Sequence, residues 1–167
     1  MILPDVLDVG LFAVFCGTAA GDTSARERAY YADPRNRFWP ILQETELTPV
    51  RIRPANFPLI RQYRLGLTDL NQVASGPDRQ HEAVLFDVER FKEKIRDHAP
   101  VIVAFNGKKA AELVLGQKRV AFGPQSVGML GAAVWVLPST SGAAGRSWDP
   151  VHWFALADAV QSSRRRA

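Results

Sequence analysis

Three short apolar runs constrain the fold of this chain more than anything else in it: Phe12–Cys16, Val101–Phe105 and Val134–Leu137. Each is rich in β-branched or aromatic residues, nearly unbroken in apolar character, and stopped by Gly, Asn or Pro-Ser. A strand with one wet face alternates apolar and polar residues, whereas an unbroken run needs cover on both faces. Helical patterns lie between the runs and would supply that cover. From Asp87 to His98, the residues Val88, Phe91 and Ile95 share one face, with Glu89, Lys92, Lys94 and Arg96 mostly elsewhere. Lys108 to Leu115 reads as a short helix stopped by Gly116. Asp149-Pro150 reads as the N-cap and first position of a final helix reaching about Ser162. Asn36 to Glu44 is a further helix, with Pro40 in its first turn or bending it. Strands alternating with helices predict an α/β fold, a three-layer α/β/α sandwich around a small central, mainly parallel sheet. The stretch from Pro49 to Arg79, with Pro54, Pro58 and Pro77 inside it, reads as irregular structure around one short element, Leu65–Leu70.

A chain of 167 residues is expected to form one domain over positions 1–167, with a solvated basic tail at about 163–167. The share of charged residues, 23%, is that of an ordinary soluble domain, and no stretch approaches the roughly 18 apolar residues of a membrane span. Met1-Ile2-Leu3-Pro4-Asp5 has no basic segment leading into an apolar one, so no signal peptide is expected and the cytoplasm is the default compartment. Cys16 is the single cysteine, which excludes an internal disulfide and a cysteine-rich zinc site; inside an apolar run it reads as a buried thiol rather than a nucleophile. His81, His98 and His152 lack metal-ligand spacing, so no metal is expected. The net charge of +4 is compatible with a polyanionic partner without establishing one.

The first apolar run opens into Gly17-Thr18-Ala19-Ala20-Gly21, and Asp33-Pro34-Arg35-Asn36-Arg37-Phe38-Trp39 follows. This is neither a Walker loop, since no Gly-Lys-Ser/Thr follows, nor a Gly-x-Gly-x-x-Gly dinucleotide fingerprint. By itself a Gly-x-x-x-Gly turn is weak. Together with the Tyr-Ala-Asp-Pro-x-Asn-x-Phe-Trp segment, it resembles the mismatch-specific uracil and thymine DNA glycosylase family of base-excision repair. Three further blocks are similar and stand in family order: Tyr63–Leu70, Phe105-Asn106-Gly107-Lys108 and Leu137-Pro138-Ser139-Thr140-Ser141-Gly142. The resemblance runs from about residue 8 to 160.

The resemblance implies a three-layer α/β fold and an enzyme that flips uracil out of DNA, hydrolyses its N-glycosidic bond and leaves an abasic site. Flipping is needed because the reacting atoms cannot be reached inside the stack. It implies no cofactor, uracil-containing single- or double-stranded DNA as partner, no membrane, and a monomer. Too few Cys and His are present for the iron–sulfur cluster of some distant glycosylases. Tyr31 corresponds to the aromatic on which the base stacks, with Tyr30 as the neighbouring register and a plain core aromatic as the alternative. Backbone amides around Gly17 and Ala19 would face base oxygens and stabilise the leaving group. Asn106 would pair with the uracil edge, or else cap the helix that begins at Lys108.

One position departs from the family. Its first signature reads Gly-Ile-Asn-Pro-Gly and its Asn holds the attacking water, but here that position is Ala19, followed by Ala20. Asp69 is the best substitute as general base, or else a cap after Thr68; Thr18 and Asp22 are weaker candidates. After the second signature, Gly142, Ala143, Ala144 and Arg146 correspond to the wedge that fills the vacated stack. Ser139 and Ser141 would line the pocket or bind phosphate, or belong to a plain serine-rich loop. The same residues leave two other readings open: a glycosylase for another base such as hypoxanthine, given the room left by Ala19 and Ala20, and a non-catalytic reader of lesions or abasic sites.

Overall fold

In the computed structural model, which describes residues 1–77 and 85–167, five strands form one sheet in the order β2-β1-β3-β5-β4. β1 (Ala13–Ala19), β2 (Leu65–Asn71), β3 (Ile102–Asn106) and β5 (Ala133–Leu137) are parallel; β4 (Gly123–Pro124) pairs antiparallel with β5. α1 (Asp22–Glu27), α2 (Phe38–Glu44), α3 (Val88–His98), α4 (Lys108–Leu115) and α5 (Val151–Arg166) complete the order, with 3₁₀ segments at Pro54–Tyr63 and Gly142–Ser147.

The unbroken apolar runs are explained by two cores, one on each face of the sheet. In β1, Ala13 and Phe15 join Phe38, Leu42, Trp153 and Leu156, whereas Val14 and Cys16 join Phe91, Ile95, Ala111 and Val114. Alternate side chains of one strand thus enter opposite layers, α2 and α5 on one side and α3 and α4 on the other. This is the three-layer sandwich that the pattern predicts. Phe15 is stacked on Trp153 at 5.7 Å and meets Phe38 edge-on at 5.3 Å, which anchors the motif helix α2 and the last helix to the same residue. Cys16 is fully buried, and burial pushes its thiol pKa up, as for an inert core cysteine.

Four sequence expectations need correction. The element expected at Leu65–Leu70 is a full parallel strand, β2, buried along its whole length, and Pro54–Tyr63 before it is a 3₁₀ segment rather than irregular chain. Its free edge is covered by the N-terminal segment, where Val6 pairs antiparallel with Leu67 and Ile2 N donates to Gln72 O at 2.7 Å. Lys94, expected off the apolar face of α3, is buried with it: its ammonium donates to Asp5 at 2.8 Å and to Gln72 Oε1 at 2.7 Å. The basic tail is not free either. α5 runs on to Arg166, and the half-buried Arg164 donates to the carbonyls of Leu47 and Tyr63, both at 3.0 Å. Finally, the glycine-bounded segment is a loop only at its end, because β1 continues through Gly17, Thr18 and Ala19. His81 and positions 78–79 lie outside the described residues. Among the described residues no helix is long and apolar enough to cross a membrane.

Candidate active site

In an open parallel sheet, the carboxyl ends of neighbouring strands leave a crevice that side chains cannot fill. Here that crevice is a cleft of about 670 Å³, within the usual range for ligand sites. β1 contributes Gly17, Thr18 and Ala19, β2 contributes Asp69, β3 contributes Asn106, and Ser139–Ala144 closes the far side. Tyr30, Tyr31 and Asp33–Asn36 form the remaining wall, so the sequence blocks separated along the chain meet in one place.

Asp69 lies on the floor, 6% exposed, in register with Gly17 across the β1–β2 pair. A Cβ at position 17 would stand 2.7 Å from Asp69 Oδ1 and 3.4 Å from the Tyr31 hydroxyl oxygen. Glycine is therefore what admits the carboxylate to the floor. The expectation that Asp69 could instead cap a turn fails, because it lies inside a strand.

Tyr31 has a left-handed backbone, φ +54°, which is costly for a bulky residue and is tolerated where surrounding contacts enforce it. Those contacts are visible: its ring stacks on Phe38 at 4.1 Å, and the preceding carbonyl, of Tyr30, accepts from Trp39 Nε1 at 2.8 Å. Tyr30 is the more deeply packed of the pair, 2% exposed and edge-on to Phe57. Burial, with the Asp69 carboxylate adding to it, raises the pKa of both phenols.

Asn106 does not cap α4; Gly107 takes that position without a side-chain cap. The Asn106 amide instead spans to the second-signature loop. Its Oδ1 accepts from Thr140 N at 3.0 Å and its Nδ2 donates to Thr140 Oγ1 at 2.9 Å. A backbone N–H only donates, so the first bond fixes which end of the amide is oxygen. One N–H and one lone pair remain for a ligand.

The second-signature loop is fastened to the first motif. Arg37 N donates to Thr140 O at 2.9 Å, and a Cβ at Gly142 would lie 2.8 Å from Arg35 Cβ. Ser139 Oγ accepts from Ser141 N at 3.2 Å and Ser141 Oγ from Ala143 N at 3.3 Å, so both hydroxyls also shape the loop. Ala143 and Ala144 stand on the cleft rim. Arg146 is exposed beyond the kink at Gly145 and does not line the cleft. Arg37 lies over the Trp148 ring at 5.2 Å. Thr18 lines the cleft at the end of β1, and Asp22 accepts from Ser75 Oγ at 3.3 Å.

Asn36, Thr140 and Asp33 are among the cleft residues that were not assigned a role from sequence. Asn36 lies in the motif and lines the cleft, with its Oδ1 accepting from Phe38 N at 2.9 Å. Thr140 is fully buried as the partner of Asn106. Asp33 forms a bidentate pair with Arg35 on the rim, which holds its carboxyl down at about 2. The Asp-Pro-x-Asn spacing was the signal for Asn36 and Asp33; nothing in the sequence marks Thr140.

Residues 4–155 match the family model of the uracil DNA glycosylase superfamily. Among solved structures, the chain is similar to the solution NMR structure of a Methanosarcina acetivorans protein described as a candidate uracil DNA glycosylase, with a TM-score of 0.64. The match covers 95% of this chain and 96% of the other at 22% identity, a likeness of fold.

Proposed function

The chain belongs to the uracil DNA glycosylase superfamily, and on that premise we propose that it is a monofunctional uracil-DNA glycosylase of base-excision repair, of the mismatch-specific uracil and thymine type. It acts as one domain over residues 1–167, a monomer in the cytoplasm working on uracil in single- or double-stranded DNA. The observation that carries the reading is Asp69, a carboxylate on the floor of the cleft, admitted by the missing side chain of Gly17.

In the proposed reaction the flipped uracil lies against Tyr31, with the remaining donor and acceptor of Asn106 at its edge. The bond between C1′ and the base nitrogen breaks with its electron pair leaving on the base. Backbone N–H groups at Gly17–Ala19 lower the energy of that anion. Water adds its oxygen to C1′, and Asp69 takes the water proton, the task that Ala19 cannot perform. Thr18 supports the same end of β1. Ser139 contacts the substrate, while Ser141, Gly142, Ala143, Ala144 and Arg146 meet the distorted DNA.

The test is alkali-dependent strand cleavage of uracil oligonucleotides, single- and double-stranded, by wild type and Asp69→Asn. A loss of about a hundredfold or more is expected, the contribution of a general base. Equal cleavage by both proteins would remove Asp69 from the mechanism. Binding without cleavage by either would make the protein a lesion reader.

A second reading is favoured by the cleft itself. Its volume of about 670 Å³ and its methyl-sized lining at Ala19 and Ala20 leave room for a purine such as hypoxanthine. Hypoxanthine oligonucleotides in the same assay separate the two substrates.

A further inference from the structure

The charges around the cleft are lopsided. Among the described residues that line it, Asp22, Asp33 and Asp69 carry carboxylates, and Arg35 alone carries a cation. DNA is a polyanion, and carboxylates repel it. A nucleotide whose base fills the cleft leaves its sugar at the mouth, with a phosphate a few bonds away on either side. The rim that receives those phosphates therefore needs positive charge.

Arg35 stands on that rim. Its backbone lies in the turn that follows Asp33, where Asn36 N donates to Asp33 O and Arg35 N to Asp33 Oδ1, both at 2.8 Å. The second-signature loop presses on the same residue, since a Cβ at Gly142 would lie 2.8 Å from Arg35 Cβ. The side chain is 79% exposed, yet it is held. Nε donates to Asp33 Oδ1 at 3.1 Å and Nη2 to Asp33 Oδ2 at 2.9 Å. An ion pair this open to solvent adds little to stability. What a bidentate pair does supply is direction, because it fixes the plane of the guanidinium. The pair occupies the Nε–Nη2 side of the group. The Nη1–Nη2 end remains, a second fork of donors that matches two oxygens of one phosphate.

We propose that Arg35 is a phosphate-binding residue at the cleft mouth, gripping the DNA backbone beside the flipped nucleotide, and that Asp33 is the positioning residue that aims it. This rests on the DNA glycosylase reading given above.

The experiment uses the full chain as wild type, Arg35→Gln, Arg35→Lys, Asp33→Asn and Arg96→Gln. Arg96 is the control, exposed in the last turn of α3, at the end of the sheet where His98 O accepts from Gly10 N. The probe is a fluorescent oligonucleotide with one tetrahydrofuran abasic analogue, single- or double-stranded, which has no base to lose. Dissociation constants are read by anisotropy from about 50 to 200 mM salt, where counterion release is large, alongside melting temperatures. Arg35→Gln is expected to weaken binding of both strand forms about tenfold, the size of a charge-assisted hydrogen bond. The slope of log affinity against log salt should shrink by about 0.7 for the single strand and about 0.9 for the duplex, the share of one phosphate. Arg35→Lys should keep the slope and lose part of the affinity, having the charge without the fork. Asp33→Asn should keep the slope and weaken binding about threefold. Arg96→Gln should change neither quantity, and every variant should melt near the wild-type temperature.

An unchanged slope in Arg35→Gln overturns the proposal. So does an equal fall in Arg96→Gln, which marks general charge rather than a contact. A loss confined to the duplex also overturns it, since Arg35 would then be filling the stack. Tighter binding by Asp33→Asn overturns the positioning role, because the carboxylate would only repel. The glycosylase reading is judged separately, by release of uracil from a uracil oligonucleotide. A wild type that binds the analogue with these slopes and releases no uracil loses that reading and keeps the phosphate contact. Salt-independent binding by wild type overturns the contact whatever is released.

Discussion

Thr68 and Asp69 are neighbours on β2, and they point to opposite faces with opposite fates. Thr68 enters a saturated polar cluster: its hydroxyl donates to Asp5 at 2.7 Å, and Gln72 Nε2 donates to the same oxygen at 2.7 Å. Lys94 completes the cluster with bonds to both Asp5 and Gln72. On the other face, Asp69 looks across Gly17 toward the buried Tyr31 hydroxyl. One face of the strand satisfies its buried polar atoms and thereby clamps the N-terminal segment to α3. The other turns its carboxylate into the cleft. One polar pair is buried for the fold; the other stands in a crevice, where chemistry can reach it.

The comparison breaks most readily at Lys94. Replacing it by alanine leaves the half-buried Asp5 carboxylate without its ion partner, and a loss of about 3 kcal/mol is expected, the lower end for a broken buried pair, measured by denaturant unfolding. Cleavage per folded molecule should be preserved; a parallel loss of both would mean that the two faces are not independent.

Two glycines sharpen the contrast. A Cβ at Gly66 would meet Leu11 Cδ1 and Val6 O, each at 2.6 Å, in the covered edge of the sheet. Gly66→Ala is expected to cost about 1–3 kcal/mol of stability, since backbone must move to relieve the contact. At Gly17 the clash at 2.7 Å is with the end of a side chain. Gly17→Ala should unfold at nearly the wild-type denaturant concentration while displacing Asp69, so its deficit should appear in the cleavage assay instead. The smallest effect belongs to the rim. Arg35 holds the Asp33 carboxyl at about 2, below its ordinary value near 4. The folded value is the lower one, so the contribution is present above about pH 4 and lost as pH falls toward 2. Both groups are open to solvent, so the effect should be slight and should shrink with salt, as acid titration at two ionic strengths would show.

What the sequence disclosed follows from local chemistry. β1, β3 and β5 were legible because strands covered on both faces are apolar throughout, α3 because its apolar period follows the Asp87 cap, and α4 because it stops at Gly116. β2 was not legible as a strand. Gly66, Thr68, Asp69 and Asn71 interrupt its apolar run, and their burial is made possible by partners far off in the chain. Lys94 failed for the same reason, since the carboxylate that draws it inward is supplied by Asp5. The cleft was legible through ordered motifs rather than through spacing. Thr140 escaped because a fully buried threonine in a serine-rich loop carries no mark of the amide it holds.

That grip on the amide has a consequence for error. An asparagine free to turn over would greet an amino group as readily as a carbonyl, and would treat two different bases as synonyms. Pinned by the Thr140 backbone, Asn106 offers its donor and its acceptor in one fixed order. For an enzyme that removes uracil, the nearest wrong base is cytosine, which bears an amine where uracil bears an oxygen. On the uracil reading proposed above, such a cleft would read in one direction only, and intact genetic text would not make sense to it.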